Sequence, residues 1–257
     1  MNTRFLHRRQ FIQSAVSGSL LFPSIVQQLM AEEADPLAPR APHFPAKAKL
    51  VIFLLMTGGV SLVDTFDRRQ ESDATLASYG LQRGATTGVG WQCLAARRLV
   101  ERGVRFVELI DTGSSGNWDA HGDVMDHVPL AKNVDEPIAA LLKDLKQRGM
   151  LDDTLVVWTT EFGRTPFINT ADAKGREHHP WAFSSRLAGG GVKPGIVHGA
   201  TDEIGLKVVA KPVHVHDVNA TILHLMGFDH ERLTYRHAGR DYRLTDGEGH
   251  VVKEVIA

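Results

Sequence analysis

Three short runs of continuous apolar residues constrain the fold of this chain most. They are LVIFLLM (Leu50–Met56), VRFVELI (Val104–Ile110) and TLVVWTT (Thr154–Thr160). Strands that are apolar on both faces are typical of a parallel sheet covered by helices. Residues 91–102 and 134–148, between these runs, have the apolar spacing of helices. The pattern predicts an α/β fold with a doubly wound, mostly parallel sheet and helices on both faces.

A polar segment follows each predicted strand. In chain order these segments are TGGVSLVDTFD, NWDAHGDVMDH and EFGRTP. The carboxyl ends of parallel strands meet at one edge of a sheet, and ligands bind beyond that edge. We therefore expect the functional residues to lie in these three segments.

The second polar segment contains a candidate metal-binding pattern. Eleven of the thirteen histidines fall between residues 121 and 250, and imidazole with carboxylate is a common ligand set. Asp119, His121 and Asp123 stand at alternate positions, so their side chains can converge on one ion. The alternative is a surface loop in which Asp and Asn bind their own backbone. His127, at the start of the next predicted helix, is not expected to be a ligand.

Further histidine pairs lie towards the C-terminus. In REHHP, His178 and His179 are adjacent on a segment that Pro180 keeps extended, so only one of them is expected to face a given site. In HVHD, His214 and His216 are either ligands or residues packed at a strand-to-helix junction. The donor types predict a divalent metal without distinguishing Zn, Ca, Mg and Mn.

Two charged residues follow the third predicted strand. Glu161 comes directly after it, where a carboxylate can bind a metal or act as a base. Arg164 is either an ion-pair partner of Glu161 or the binder of an anionic group, because its fork of donors suits phosphate and sulfate.

The first residues have the layout of an export signal. Residues 1–31 resemble a twin-arginine signal, with HRRQFIQ ahead of a short apolar run that is too rich in Ser and Gly for a stable membrane span. We expect recognition by the twin-arginine export machinery, and a periplasmic or cell-surface location. Residues 32–46 are a proline-rich linker, and 47–257 are the folded domain. A formal net charge of −1 argues against a nucleic-acid partner.

Several long blocks resemble the DUF1501 family of exported bacterial proteins. They include MTGGVSLVDTFD, QCLAARRLVERGVRFVELI, NWDAHGD, TLVVWTTEFGRTP and LAGGGVKPGIVHGATDE. That family is similar to the alkaline phosphatase and sulfatase superfamily, whose enzymes often bind two metal ions. The resemblance implies one half-site in the loop of Asp119, His121 and Asp123, with a late histidine at His178 or His179. Of these, Asp119, His121 and His179 are the expected ligands of its ion. The other half-site is incomplete, because Phe162 stands where a ligand histidine is expected.

The second half-site also lacks its first-strand acid. Met56 and Thr57 stand at that position, and Thr57 or Asp64 would have to substitute. Relatives are longer, and only residues 67–90 fill the region of a large insertion. The resemblance implies a metal-dependent hydrolase of small sulfate or phosphate esters, with Thr57, Glu161 and Arg164 as candidate catalytic residues. The alternatives are a degraded enzyme that acts in binding or cell-surface assembly, and a purely structural protein.

Overall fold

The described part of the chain alternates strands and helices. The computed structural model describes residues 42–55, 71–111, 118–119, 121–168 and 174–257. The strands are β1 (Leu50–Leu55), β2 (Phe106–Ile110), β3 (Thr154–Thr159), β4 (Gly163–Arg164), β5 (His178–His179), β6 (Arg186–Ala188), β7 (Ala200–Thr201), β8 (Val208–Ala210), β9 (Thr234–His237) and β10 (Arg240–Arg243). The helices are α1 (Asp73–Ser78), α2 (Val89–Glu101), α3 (His127–Gln147) and α4 (Val215–Leu225), with short 3-10 turns at Val124–Asp126, Leu151–Asp153 and Lys253–Val255.

A four-stranded sheet in the order β2-β1-β3-β6 forms the centre of the domain. β1 pairs in parallel with β2 and with β3, and these are the three strands that the apolar runs predict. β6 adds an antiparallel edge beside β3. The prediction of a mostly parallel α/β sheet is therefore confirmed.

Alternate residues of the central strands face two separate cores. Ile52 pairs in register with Val107 and Val156, and all three are buried with side chains of α2 and α3. Val51 and Leu155 point to the opposite face, where they pack with residues of α4. Helices thus cover both faces of the sheet, as its apolar strands require.

Helix α3 ends in the way that its sequence predicts. Gly149 adopts a φ of +68°, and its N–H donates to Lys146 O at 3.1 Å. Met150 N donates to Leu145 O at 2.8 Å, which completes a Schellman motif. The chain then passes through the 3-10 turn Leu151–Asp153 into β3, so α3 connects the region of the predicted metal loop to the third strand.

Folded contacts begin before residue 47. The backbone N–H of His43 donates to Gly227 O at 2.9 Å, and the Phe44 ring lies 4.9 Å from that of His224. The predicted signal and the linker as far as residue 41 lie outside the described residues. None of the helices in the described ranges is long and apolar enough to cross a membrane.

Candidate metal centre

The candidate site joins the segment after β2 to a short ribbon made by β4 and β5. The ribbon is antiparallel, with Gly163 opposite His179 and Arg164 opposite His178. Because β4 follows β3 after three residues, the ribbon stands at the carboxyl edge of the sheet, where the predicted ligand loop also lies. Arg164 and His178 both reach from the ribbon to Asp119 in that loop.

Asp119, His121 and His178 form a compact group of metal-ligand atoms. Their ligand atoms all lie within 4.8 Å of one another. Asp119 Oδ1 is 2.9 Å from His121 Nε2 and 2.9 Å from His178 Nε2, and the two Nε2 atoms are 3.1 Å apart. The side chains are 53, 44 and 46% exposed, respectively. An ion bound here would therefore remain accessible to a small molecule from solution.

Arg164 and His178 stabilise the ionised form of Asp119. The Arg164 guanidinium donates to Asp119 Oδ1 through Nη2. The hydrogen bond from Arg164, followed by that from His178, lowers the pKa of Asp119 to about 2. The carboxylate is thus ionised over the neutral range, as a metal ligand must be.

Trp118 fixes the backbone that precedes Asp119. Its indole Nε1 donates to Asp111 Oδ2 at 2.8 Å, just beyond β2. Its carbonyl oxygen accepts from Arg164 Nη2 at 3.3 Å and lies 2.8 Å from His127 Nε2. The peptide is held between the sheet edge, the ribbon and the start of α3. His127, which was not among the predicted ligands, therefore contacts the backbone of Trp118.

Glu177 belongs to the site but was not among the predicted residues. Its Oε2 lies 3.2 Å from His121 Nδ1, on the side of the ring opposite the ligand atom. The sequence did contain a clue to Glu177, because this residue stands directly before two candidate ligands in REHHP. Histidine ligands commonly contact a carboxylate through the nitrogen that does not bind the metal.

Two predicted ligands lie beside the triad but make other contacts. Asp123 Oδ1 accepts from Met125 N at 2.9 Å and caps the following 3-10 turn, which is the turn chemistry weighed as the alternative. Glu161 is exposed, and its Oε2 accepts from Thr160 Oγ1 at 2.9 Å. Neither is a member of the metal-ligand group found among the described residues.

The remaining predicted histidines lie outside this group. His179 is buried, and its Nε2 lies 2.8 Å from Leu206 O, so it connects the ribbon to the β7–β8 hairpin. His214 caps α4 and accepts from His216 N at 3.3 Å. The segment expected to be a strand before α4 instead begins the helix, so His214 and His216 do not alternate along a strand.

The position expected for the second metal has an aromatic side chain in place of a ligand. The Phe162 ring stacks on His178 with ring centroids 4.1 Å apart and an interplanar angle of 30°. Arg164 lies 5.6 Å from the same ring. Phe162 thus packs against one ligand of the triad. Thr57 and Asp64, the proposed substitutes for the first-strand acid, lie outside the described residues.

Comparison with known proteins identifies a family for this chain. The family model DUF1501, described as "Protein of unknown function", matches residues 67–256. This match includes the triad, Glu177 and the whole ribbon. No curated protein and no solved structure matches the chain significantly.

Proposed function

The chain belongs to the DUF1501 family, and from that premise we propose that it is an exported, metal-dependent hydrolase of small sulfate or phosphate esters. The observation behind the proposal is the group formed by Asp119, His121 and His178, whose ligand atoms lie within 4.8 Å of one another. The group stands at the carboxyl edge of a parallel sheet, where α/β proteins bind ligands.

The donor set fits a divalent transition metal better than Ca²⁺ or Mg²⁺. Two imidazoles and one carboxylate suit zinc and its neighbours, whereas calcium and magnesium prefer oxygen ligands. Three protein ligands also leave a coordination position open, as in catalytic zinc sites. A bound ion of this kind polarises an ester oxygen and promotes the ionisation of water.

The protein side chains have separate tasks in this proposal. Asp119, His121 and His178 hold the ion. Arg164 orients Asp119 through its hydrogen bond to Oδ1. If Arg164 is also to bind an anion, its guanidinium has to break its contacts with Trp118 O and Arg176 O, both at 3.3 Å. Glu161, exposed at the end of β3, is the candidate base.

Binding without catalysis is the second candidate function. The observation in its favour is the contact of Phe162 with His178, at the position where the superfamily resemblance implies a second metal. Both terminal nitrogens of the Arg164 guanidinium also donate to backbone oxygens, and these contacts compete with an anionic ligand. A site that binds one ion, and whose Arg164 is already engaged by other groups, suits capture of a ligand as well as its cleavage.

Metal analysis followed by an ester panel tests both candidates. We expect purified wild-type protein to bind about one transition-metal ion per chain and to hydrolyse aryl sulfates or phosphates after loading with Zn²⁺ or Mn²⁺. His121→Ala should lose both properties. His237→Ala, which removes an exposed histidine from β9, should lose neither.

The outcomes separate the two functions. Metal binding without turnover would support the binding protein over the hydrolase. A wild-type protein without stoichiometric metal, or a His121→Ala variant that hydrolyses esters as fast as the wild type, would overturn the hydrolase.

Export is tested through the paired arginines. Arg8 and Arg9 lie in HRRQFIQ, and twin-arginine signals are recognised as addresses by the export machinery. Replacing both with lysine keeps the charge but removes the arginine pair that the export machinery recognises. We therefore expect the protein to accumulate inside the cell, with expression equal to that of the wild type. Unchanged recovery of the double variant from the periplasmic fraction would contradict export by this route.

A further inference from the structure

The two ring nitrogens of His121 face different carboxylates. Nε2 lies 2.9 Å from Asp119 Oδ1 and 3.1 Å from His178 Nε2, on the side of the candidate metal position. Nδ1 lies 3.2 Å from Glu177 Oε2. A neutral imidazole has one N–H donor and one lone pair, so the partners of the ring decide which nitrogen can bind a metal.

Glu177 is fixed in place by its own backbone. Its carbonyl accepts from Thr165 N at 2.9 Å, and its N–H donates to Thr165 Oγ1 at 3.0 Å. These bonds extend the pairing of β4 with β5 by one residue beyond Arg164 and His178. The carboxylate is therefore presented to His121 by the same ribbon that presents His178 to Asp119.

We propose that Glu177 is a positioning residue that keeps the proton of His121 on Nδ1 and leaves the Nε2 lone pair directed at the metal position. This inference rests on the proposed metal centre. Carboxylate contacts of this kind fix the tautomer and the ring orientation of histidine ligands and make them stronger donors.

Asp119 competes for the same ring proton but is already occupied. Its Oδ1 accepts from Arg164 and also contacts His178 Nε2 at 2.9 Å. A further proton on His121 Nε2 would crowd a third donor onto that oxygen. The proton is better placed on Nδ1, where Glu177 accepts it.

Zinc affinity provides the first test. Competition with a chelator measures the Kd for Zn²⁺ in wild type, Glu177→Gln, Glu177→Ala and Glu231→Ala. Loss of an outer partner typically weakens metal binding about 10- to 100-fold, so we expect that loss in Glu177→Ala and a smaller one in Glu177→Gln, which keeps an acceptor oxygen. Glu231→Ala removes the same charge from an exposed turn and should bind Zn²⁺ as the wild type does.

The tautomer of His121 provides the second test. In metal-free protein, above the pH range in which histidines titrate, ring ¹⁵N shifts should place the proton on Nδ1 in wild type and Glu177→Gln. In Glu177→Ala the proton should move towards Nε2. A merely structural role for Glu177 would change the melting temperature without changing this signature.

The results distinguish this inference from the proposed function. Equal Zn²⁺ affinity in wild type and Glu177→Ala, or an unchanged tautomer, would overturn the role of Glu177 and leave the hydrolase standing. Tight binding of Zn²⁺ with the expected order of affinities, but without ester turnover, would contradict the proposed hydrolase and support the positioning role of Glu177. If Zn²⁺ does not bind at all, the proposed metal centre is wrong. The tautomer of His121 then decides alone whether Glu177 orients the imidazole ring.

Discussion

At the scale of single residues, one oxygen atom organises the site. Asp119 Oδ1 accepts from Arg164 and lies within 2.9 Å of both His121 Nε2 and His178 Nε2. An ionised carboxylate only accepts hydrogen bonds, and this one lies in contact with side chains from two separate segments of the chain. Its removal should therefore affect the whole group.

A pair of isosteric substitutions tests the ligand assignment. Asp119→Asn keeps the shape of the side chain but places an uncharged amide beside two histidines, and we expect the Kd for Zn²⁺ to rise by at least about tenfold. Asp123→Asn, two residues away, should change that Kd by less than about twofold, because Asp123 only caps a turn. Equal losses in the two variants, measured by chelator competition, would contradict the placement of Asp123 outside the ligand set.

The sequence could predict part of this ligand set. Asp119 and His121 follow from their position after a buried strand and from their spacing. Of the adjacent histidines we favoured His179, which was wrong, because alternation along a strand states only that the two face opposite ways and not which of them faces the site. The pairing of Arg164 with His178 settles which one meets Asp119, and that register depends on contacts between distant residues.

At the scale of elements, the start of α4 shows how local chemistry overrides a pattern. The sequence HVHD alternates like a strand, yet the helix begins at Val215 with a capping box. Asp217 Oδ2 accepts from His214 N at 2.7 Å, and Oδ1 accepts from His250 N at 2.7 Å. His214 is therefore the N-cap, and Asp217 is the third residue of the helix, which closes the capping box.

Loss of this cap should have a pH-dependent effect. Burial raises the pKa of Asp217, but the backbone donors of His214 and His250 outweigh it, so the folded pKa lies below the ordinary value. The stabilisation is therefore complete above the unfolded pKa of about 3.9 and is lost as the pH falls below it. Asp217→Ala should lower the unfolding free energy by about 1 kcal/mol at neutral pH, and the difference from wild type should shrink in acid.

Urea unfolding at a series of pH values measures the effect of the cap. Asp135→Ala, on the exposed side of α3, serves as the control and should stay within about 0.5 kcal/mol of wild type. A difference between wild type and Asp217→Ala that is the same at every pH would argue against this account.

At the scale of the whole molecule, an ion network attaches residues 71–90 to the helices α2 and α3. Arg97 is buried with only 2% of its side chain exposed, and it pairs with Glu71 at 2.7 Å, Glu101 at 2.6 Å and Asp144 at 2.9 Å. The Tyr79 hydroxyl donates to Asp144 at 3.0 Å. Residues 71–90 showed little apolar periodicity, and their packing could not be predicted because much of it depends on these polar contacts with α2 and α3.

Removal of the central arginine should destabilise the domain strongly. Arg97→Met removes the buried charge between Glu71 and Asp144, which keep Arg98 at 3.5 Å and Arg148 at 2.6 Å, respectively. We expect a loss of about 3 kcal/mol. Arg83→Met breaks an exposed pair with Asp73 and should cost less than about 1 kcal/mol. Thermal and urea unfolding compare the variants. An Arg97→Met protein as stable as Arg83→Met would show that the network contributes little.

The spacing of the two histidine ligands has a mechanical consequence. His121 and His178 are 57 positions apart along the chain, and the segment between them contains α3, β3 and the first strand of the ribbon. An ion bound to both in the folded protein would hold the two ends of this segment together and would be released when the chain unfolds. Resistance to unfolding would then rise with the concentration of free metal, as mass action requires.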